Sequence, residues 1–113
     1  GDLLRRLIAA PTQRFTEEKA AMWARQLLLG LRTVHSLGYI HRDIKPDNLL
    51  LTDQSVLKIA DFGWCCLVEE MPSCLAGTFQ YMAPEVLRNV PQTPQADVWS
   101  AGVTLYQMLL GRA

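Results

Sequence analysis

Apolar residues recur at helical spacing in three stretches of the chain. The first stretch, residues 2–9, is short and is followed by Pro11, which cannot continue a helix. The second starts after Thr16, a residue type that caps helix N-termini, and should end before Gly38. The third starts near Gln95 and is apolar on most sides, as expected of a helix buried at the centre of a domain. The sequence therefore predicts three helices, and a short helical turn is expected after Pro84.

The apolar positions of the two longer helices indicate the faces that they bury. In the second helix these positions are Ala20, Trp23, Ala24, Leu27, Leu28, Leu31 and Val34. In the third they are Val98, Ala101, Val103, Leu105, Tyr106, Leu109 and Leu110. Trp23 and Trp99 are both expected in the core. His35 lies near the C-terminal end of the second helix, where a cation suits the helix dipole, and a catalytic role for it is disfavoured.

Between the second and third helices the pattern changes to short apolar runs. Residues 39–40, 49–51 and 56–59 have the composition of strands, and the polar residues 52–55 should form the turn between the last two. Residues 61–82 have no clear period. A segment longer than about 12–15 residues without a period, inside a compact domain, is usually a functional loop.

Length and composition limit the chain to one small domain. It has 113 residues, of which half are apolar, and its eleven basic and eleven acidic residues cancel. This balance gives no reason to expect a nucleic-acid or membrane partner. No signal peptide is visible, and no apolar run approaches the roughly 18–20 residues that span a bilayer. The three cysteines lack CxxC spacing, which favours reduced thiols in a cytoplasmic protein, with the nucleus as the alternative.

Two polar segments between the apolar runs concentrate reactive side chains. HRDIKPDN occupies residues 41–48, and DFG occupies residues 61–63. The strands beside them would bring four side chains into one cleft: Asp43, Lys45, Asn48 and Asp61. Asn and Asp oxygens suit magnesium holding a polyphosphate, and a nearby Asp and Lys suit a hydroxyl nucleophile and a transferring phosphoryl group. The alternative is an ordinary polar loop with capping carboxylates.

Five segments together resemble the protein kinase family. Residues 41–48 and 61–63 match its catalytic loop and DFG motif, and APE at residues 83–85 matches its APE motif. GT at residues 77–78 resembles its P+1 loop, and DVWSAG at residues 97–102 resembles the start of its αF helix. The segments stand in family order across the chain. The resemblance implies an α+β, protein-kinase-like fold, here the part of the mainly helical large lobe from αD to αF, with short strands around the catalytic loop.

The resemblance also implies roles in phosphoryl transfer from ATP. Asp43 corresponds to the catalytic base, and Lys45 to the residue that contacts the nucleotide and stabilises charge on the γ-phosphoryl group. Thr78 corresponds to the threonine whose hydroxyl bridges these two. Asn48 and Asp61 correspond to the Mg²⁺ ligands. Lys45 and Thr78 are both marks of enzymes whose acceptors are serine and threonine hydroxyls of protein substrates.

Other positions correspond to binding or packing residues of the family. Leu50 falls where a side chain lies beneath the adenine ring of ATP, and Asp2 falls near the ribose. His41 and Phe62 correspond to packing residues, and Asp97 should hold the catalytic-loop backbone from within the last helix.

The segment before Thr78 departs from the family pattern. Arg42 is the type of residue that pairs with a phosphate on this segment, usually on a Ser or Thr four residues before the P+1 threonine. That position is Cys74 here, and Ser73 is the nearest hydroxyl. Phosphorylation of Ser73 by an activating kinase, control by a regulatory partner and redox sensitivity of Cys74 are left as open alternatives. For the three cysteines, simple apolar packing is the favoured interpretation.

The resemblance covers only part of a kinase domain. The 113 residues include no Gly-rich loop, no β3 Lys with its αC Glu, and no helices after αF, and they end directly after a strongly apolar helix. We therefore expect a longer parent kinase, and a chain that is inactive and poorly stable alone. The subgroup is open, with an Aurora-like kinase as the nearest comparison. The alternative function is a non-catalytic, kinase-like fragment that binds a partner or acts as a decoy.

Overall fold

The first two helices form where their apolar spacing predicts them, except that Asp2 caps the first helix instead of belonging to it. In the computed structural model, which describes residues 1–88 and 90–111, α1 spans Leu3–Ala9 and α2 spans Glu17–Ser36. The Asp2 side chain caps α1 by accepting a hydrogen bond from the Arg5 backbone N–H at 2.8 Å. Thr16 caps α2 in the same way.

The remaining helices follow the catalytic segments. α3 spans Pro84–Leu87 and α4 spans Gln95–Leu110, which agrees with the predicted start of the last helix. Four short 3₁₀ turns lie at Pro11–Gln13, Pro46–Asn48, Val68–Glu70 and Phe79–Tyr81. Within the described ranges, no helix combines the length and apolar character that crossing a bilayer requires.

Over the described ranges, four short strands form two antiparallel pairs. β2 (Leu49–Leu51) pairs with β3 (Leu57–Ile59), and β1 (Tyr39–Ile40) pairs with β4 (Cys66–Leu67). The predicted run at residues 56–59 begins one residue too early. β4 was not predicted, because its two residues are too few to establish a period and it forms only by pairing with distant β1.

The core lies where α1, α2 and α4 meet the β2–β3 hairpin. Its centre is Trp23, whose indole N–H donates to the Ser55 carbonyl in the hairpin turn at 3.1 Å. The Phe15 ring meets the Trp23 ring edge-on, with 4.8 Å between centroids. The buried members of this core are Leu3, Leu7, Phe15, Ala20, Trp23, Leu27, Leu31, Ile44, Leu49, Leu51, Leu57, Ala101 and Met108.

Five predictions of burial are wrong, because Leu28 in α2 and Val98, Trp99, Tyr106 and Leu110 in α4 are all exposed. Leu28 is 51% exposed, because it lies beside rather than on the line formed by Trp23, Leu27 and Leu31. Trp99 is 49% exposed, and it shares one face of α4 with other half-exposed apolar side chains. The opposite face of α4 carries Ala101 and Met108 into the core. None of the described elements covers the Trp99 face, so α4 is buried on one side only.

Candidate active site

The start of the catalytic loop, residues 41–48, is held in place by Asp97 of α4. The buried Asp97 carboxylate accepts hydrogen bonds from the backbone N–H groups of His41 at 2.8 Å and Arg42 at 2.9 Å. The prediction that Asp97 holds this backbone is confirmed. Because one carboxylate satisfies two consecutive amides, the direction in which the loop leaves β1 is set by a residue 55 positions away in the chain.

His35 is a further partner of this carboxylate that the sequence did not reveal. Its Nε2 lies 2.8 Å from Asp97 Oδ2, the oxygen that also accepts from the His41 N–H. Since a carboxylate only accepts, Nε2 carries the proton. The only sequence signal for His35 was its place near the end of α2. That position explains why a cation is favourable at the end of α2, but it does not predict a hydrogen bond from His35 to Asp97 in α4.

A chain of hydrogen bonds joins the three residues predicted to act in catalysis. The Lys45 ammonium donates to the Thr78 hydroxyl at 2.7 Å, and the Thr78 hydroxyl donates to Asp43 Oδ1 at 3.1 Å. A Cβ on Gly77 would lie 2.3 Å from the Arg42 carbonyl oxygen, and Gly77 has a φ of 95°. Only glycine therefore allows the Thr78 segment to approach the catalytic loop this closely.

Asn48 orients the other oxygen of the Asp43 carboxylate. Its amide nitrogen donates to the Asp43 carbonyl at 2.9 Å and to Asp43 Oδ2 at 3.1 Å. Both bonds use Nδ2, so the amide oxygen of this buried side chain remains available to a ligand. The amide orientation follows from these contacts, since Oδ1 could not donate to either Asp43 oxygen.

Asp61 lies next to Asn48 across a backbone hydrogen bond. The Ala60 N–H donates to the Asn48 carbonyl at 2.9 Å. Asp61, whose side chain is exposed, is the next residue along the chain and so leaves the backbone beside Asn48. An amide oxygen and a carboxylate are hard donors, so these two side chains fit Mg²⁺ when phosphate and water oxygens complete the shell. Within residues 1–88 and 90–111, no cluster of three or more His, Cys, Asp or Glu side chains offers a protein-only metal site.

Leu50 and Asp2, the two predicted nucleotide contacts, are neighbours. They form an isolated antiparallel bridge, and Leu50 is 45% exposed while the adjacent Leu49 and Leu51 are buried. β2 thus turns one apolar side chain outward beside the catalytic loop. Part of the Asp2 carboxylate is already engaged, because it caps α1 through the Arg5 backbone N–H.

His41 is held as a neutral packing residue. Its Nδ1 accepts a hydrogen bond from the Asp43 backbone N–H at 3.1 Å, which leaves Nε2 to donate to the Ala60 carbonyl at 2.8 Å. The His41 and Phe62 rings meet edge-on with 4.9 Å between centroids. Both positions pack against each other, as expected from the sequence, although the Phe62 ring is half-exposed on its other side.

Arg42 binds the chain on both sides of β4. The guanidinium donates from Nε to the Trp64 carbonyl at 2.9 Å and from Nη1 to the Cys74 carbonyl at 3.4 Å. Ser73 is half-buried beside this contact. Burial raises the pKa of the Cys65 thiol, and the negative charge of Asp97 raises that pKa further.

The sequence matches the family model described as "Protein kinase domain" over residues 1–113. It is 38% identical over 113 residues to "Serine/threonine-protein kinase Nek6" of Oryza sativa subsp. japonica, a match that covers 99% of this chain and 21% of the relative. It is 44% identical over 106 residues to "Serine/threonine-protein kinase atg1" of Dictyostelium discoideum, covering 88% and 16%. It is 43% identical over 103 residues to "Protein kinase C delta type" of Homo sapiens, covering 88% and 15%. The chain thus spans about a fifth or less of the length of these curated relatives.

Proposed function

The chain belongs to the protein kinase family, and we propose that the whole protein in which it occurs transfers the γ-phosphoryl group of ATP to serine and threonine hydroxyls of protein substrates. The family generally uses ATP and Mg²⁺. The observation that carries the proposal is the hydrogen-bond chain from Lys45 through Thr78 to Asp43. It puts a cation, a hydroxyl and a carboxylate side by side, as transfer to a hydroxyl acceptor requires.

In this proposal Asp43 orients the acceptor hydroxyl and accepts its proton. One carboxylate oxygen is held by the Thr78 hydroxyl and the other by the Asn48 amide, so the group cannot rotate. Each oxygen retains a lone pair for the substrate. Fixing the base before the substrate arrives lowers the entropic cost of reaching the reactive geometry.

Lys45 is proposed to stabilise the charge on the transferred group. An ammonium has three N–H donors, and Thr78 occupies one of them. The remaining two are available to phosphoryl oxygens. The Thr78 contact also ties Lys45 to Asp43, so that the cation and the base keep a constant separation.

The remaining proposed contacts concern the nucleotide. Asn48 Oδ1 and the Asp61 carboxylate would hold Mg²⁺, which supplies charge neutralisation to the phosphates when bound with ATP. The outward-facing Leu50 would offer apolar surface to the adenine ring. Asp2 would lie near the ribose, where its second carboxylate oxygen, which does not cap α1, could accept a hydrogen bond.

Regulation and location are also proposals. The proximity of Arg42 to Cys74 supports an activating kinase that phosphorylates the neighbouring Ser73, or a regulatory partner that docks on this segment. Cys65, Cys66 and Cys74 are all free, which supports a reducing compartment, the cytoplasm or the nucleus. The relatives carry the names of different kinases, so the Aurora-like subgroup stays a prediction.

The experiment is a transfer assay on the purified whole protein with γ-labelled ATP and Mg²⁺. Three peptides that differ only in a Ser, Thr or Tyr acceptor serve as substrates. We expect label on Ser and Thr but not on Tyr, and a loss of about 100-fold or more in Asp43→Asn. Asp53→Asn, an exposed carboxylate in the hairpin turn, is the matched control and should keep full activity.

The proposal is wrong if Asp43→Asn transfers phosphate as fast as the wild type, or if the Tyr peptide is labelled as fast as the others. A well-folded wild type that binds partner proteins but labels none of the peptides would favour the non-catalytic, partner-binding alternative.

A further inference from the structure

A buried glutamine outside all five sequence motifs holds the segment that leads to Thr78. Gln92 lies in the connection between α3 and α4 and is only 2% exposed. Its backbone N–H donates to the Pro72 carbonyl at 2.7 Å, and its side-chain Nε2 donates to the Cys74 carbonyl at 2.9 Å. Two bonds from one residue thus attach positions two apart in the segment.

The Cys74 carbonyl is also bound from the catalytic loop. Arg42 Nη1 donates to it at 3.4 Å while Arg42 Nε donates to the Trp64 carbonyl at 2.9 Å. A carbonyl oxygen has two lone pairs, so Gln92 and Arg42 bind it together. The segment is therefore pinned between the catalytic loop on one side and the α3–α4 connection on the other.

The Cys74 carbonyl, which Arg42 and Gln92 both bind, lies close to Thr78 along the chain. Between Cys74 and Thr78 the chain passes through Ala76, which is buried, and Gly77, whose Cα hydrogen faces the Arg42 carbonyl. Gln92 lines the same narrow enclosed space as Asp43 and Thr78. The Leu75 side chain is exposed, but the buried Ala76 and the close approach of Gly77 to the Arg42 carbonyl leave the backbone little room, so a shift of the Cys74 carbonyl would be transmitted to Thr78.

We propose that Gln92 is a positioning residue for phosphoryl transfer, which holds residues 72–78 so that the Thr78 hydroxyl meets Asp43 and Lys45. The proposal deepens the proposed kinase function and rests on it. Gln92 acts through the backbone carbonyl of Cys74, so its hold does not depend on a phosphate at Ser73. The rival explanation is that the side chain only fills space beneath the segment.

The test is a double-mutant cycle in the whole protein, with Gln92→Met and Thr78→Val. Methionine keeps the length and volume of glutamine but removes the donor. We expect Gln92→Met to lower kcat/KM about tenfold, from the loss of one buried hydrogen bond, after correction for the folded fraction. In the Thr78→Val background the same change should have almost no further effect, because Gln92 acts through Thr78.

The matched control is Gln54→Met, an exposed glutamine in the hairpin turn, which should retain wild-type kcat/KM. Full activity of Gln92→Met would overturn the proposal. So would an equal loss in both backgrounds, since a residue that only fills space does not require Thr78 to exert its effect.

Hydrogen exchange separates this proposal from the proposed function. In Gln92→Met two backbone N–H groups that bind the segment should exchange at least about tenfold faster than in Gln54→Met: that of residue 92, which donates to the Pro72 carbonyl, and that of Tyr81, which donates to the Thr78 carbonyl. The amides of α2 should stay unchanged. If the wild type transfers no phosphate, the kinase proposal fails and this measurement alone decides whether Gln92 holds the segment. Unchanged exchange at both N–H groups refutes it. If Gln92→Met does not fold, Gln92→Leu, which also lacks a donor and introduces no charge, replaces it in both experiments.

Discussion

His35 near the end of α2 donates a 2.8 Å hydrogen bond to the carboxylate of Asp97 near the start of α4. The same carboxylate receives the backbone N–H groups of His41 and Arg42. The two long helices are therefore joined to each other and to the catalytic loop at one buried anionic point. The position of the catalytic residues depends on this junction although none of its members touches the substrate in the proposed reaction.

Replacing Asp97 with Asn should destabilise the protein and weaken catalysis together. The Asn side chain has only one acceptor oxygen. Its NH₂ group would therefore face at least one of the three N–H donors, from His35, His41 and Arg42, that the carboxylate now accepts. We expect a loss of about 2–4 kcal/mol in the free energy of unfolding, measured by urea titration of the whole protein. His35→Ala should lose less, about 1–2 kcal/mol, because both loop amides keep their acceptor. Equal stability of Asp97→Asn and wild type would contradict this account.

Replacing Gly77 with Ala should abolish activity with little change in global stability. The new Cβ would lie 2.3 Å from the Arg42 carbonyl oxygen, and the φ of 95° is strained for alanine. The segment must move, which separates Thr78 from Asp43, so kcat/KM should fall about 100-fold or more. Gly102→Ala is the control, since a Cβ there meets nothing within 4 Å inside helix α4. A Gly77→Ala protein with wild-type kcat/KM would show that this close approach is dispensable.

The parts of the fold that could be predicted are those with local causes. α1 and α2 follow from apolar periodicity, and the start of α2 also follows from Thr16, whose side chain acts within three positions of itself. β4 has no such local cause, since its two residues form a strand only against β1. The exposure of Trp99 likewise depends on which elements pack over α4, and composition carries no information on that.

The candidate site divides in the same way. Asp43, Lys45 and Thr78 belong to short motifs whose spacing is visible in the sequence, and the structure brings them together. His35 and Gln92 bind partners 62 and 18 positions away, and neither lies in a motif. A buried polar residue that acts through tertiary contacts alone has no recognisable local pattern, so only the folded arrangement identifies it.

Stability should fall at alkaline pH because of Tyr81. Burial raises the pKa of its phenol, the nearby Asp47 charge raises it further, and a hydrogen bond to Gln107 opposes the shift. As the pH rises, Tyr81 therefore ionises in the unfolded chain before it ionises in the folded protein, near the ordinary tyrosine pKa of about 10. The contribution of neutral Tyr81 to the free energy of unfolding is complete below that pH. It is lost as the pH rises through the higher pKa that Tyr81 has in the folded state. Urea titrations between about pH 8 and 11 should give a steeper decline for wild type than for Tyr81→Phe. Parallel declines would exclude Tyr81 as the cause.

Cys65 and Cys74 should react with iodoacetamide at different rates. Cys74 is exposed, whereas Cys65 is partly buried and its thiol pKa is raised by burial and by the Asp97 charge. Because the thiolate is the nucleophile, Cys65 should be alkylated more slowly than Cys74 at about pH 7.5, and the gap should narrow as pH rises above 9. Peptide mass spectrometry of timed samples measures both rates, and urea-unfolded protein, in which the sites should react alike, is the control. If Cys65 reacts as fast as Cys74 in the folded protein at pH 7.5, the environment assigned to Cys65 is wrong. Cys74 would then be no more open to oxidation than Cys65.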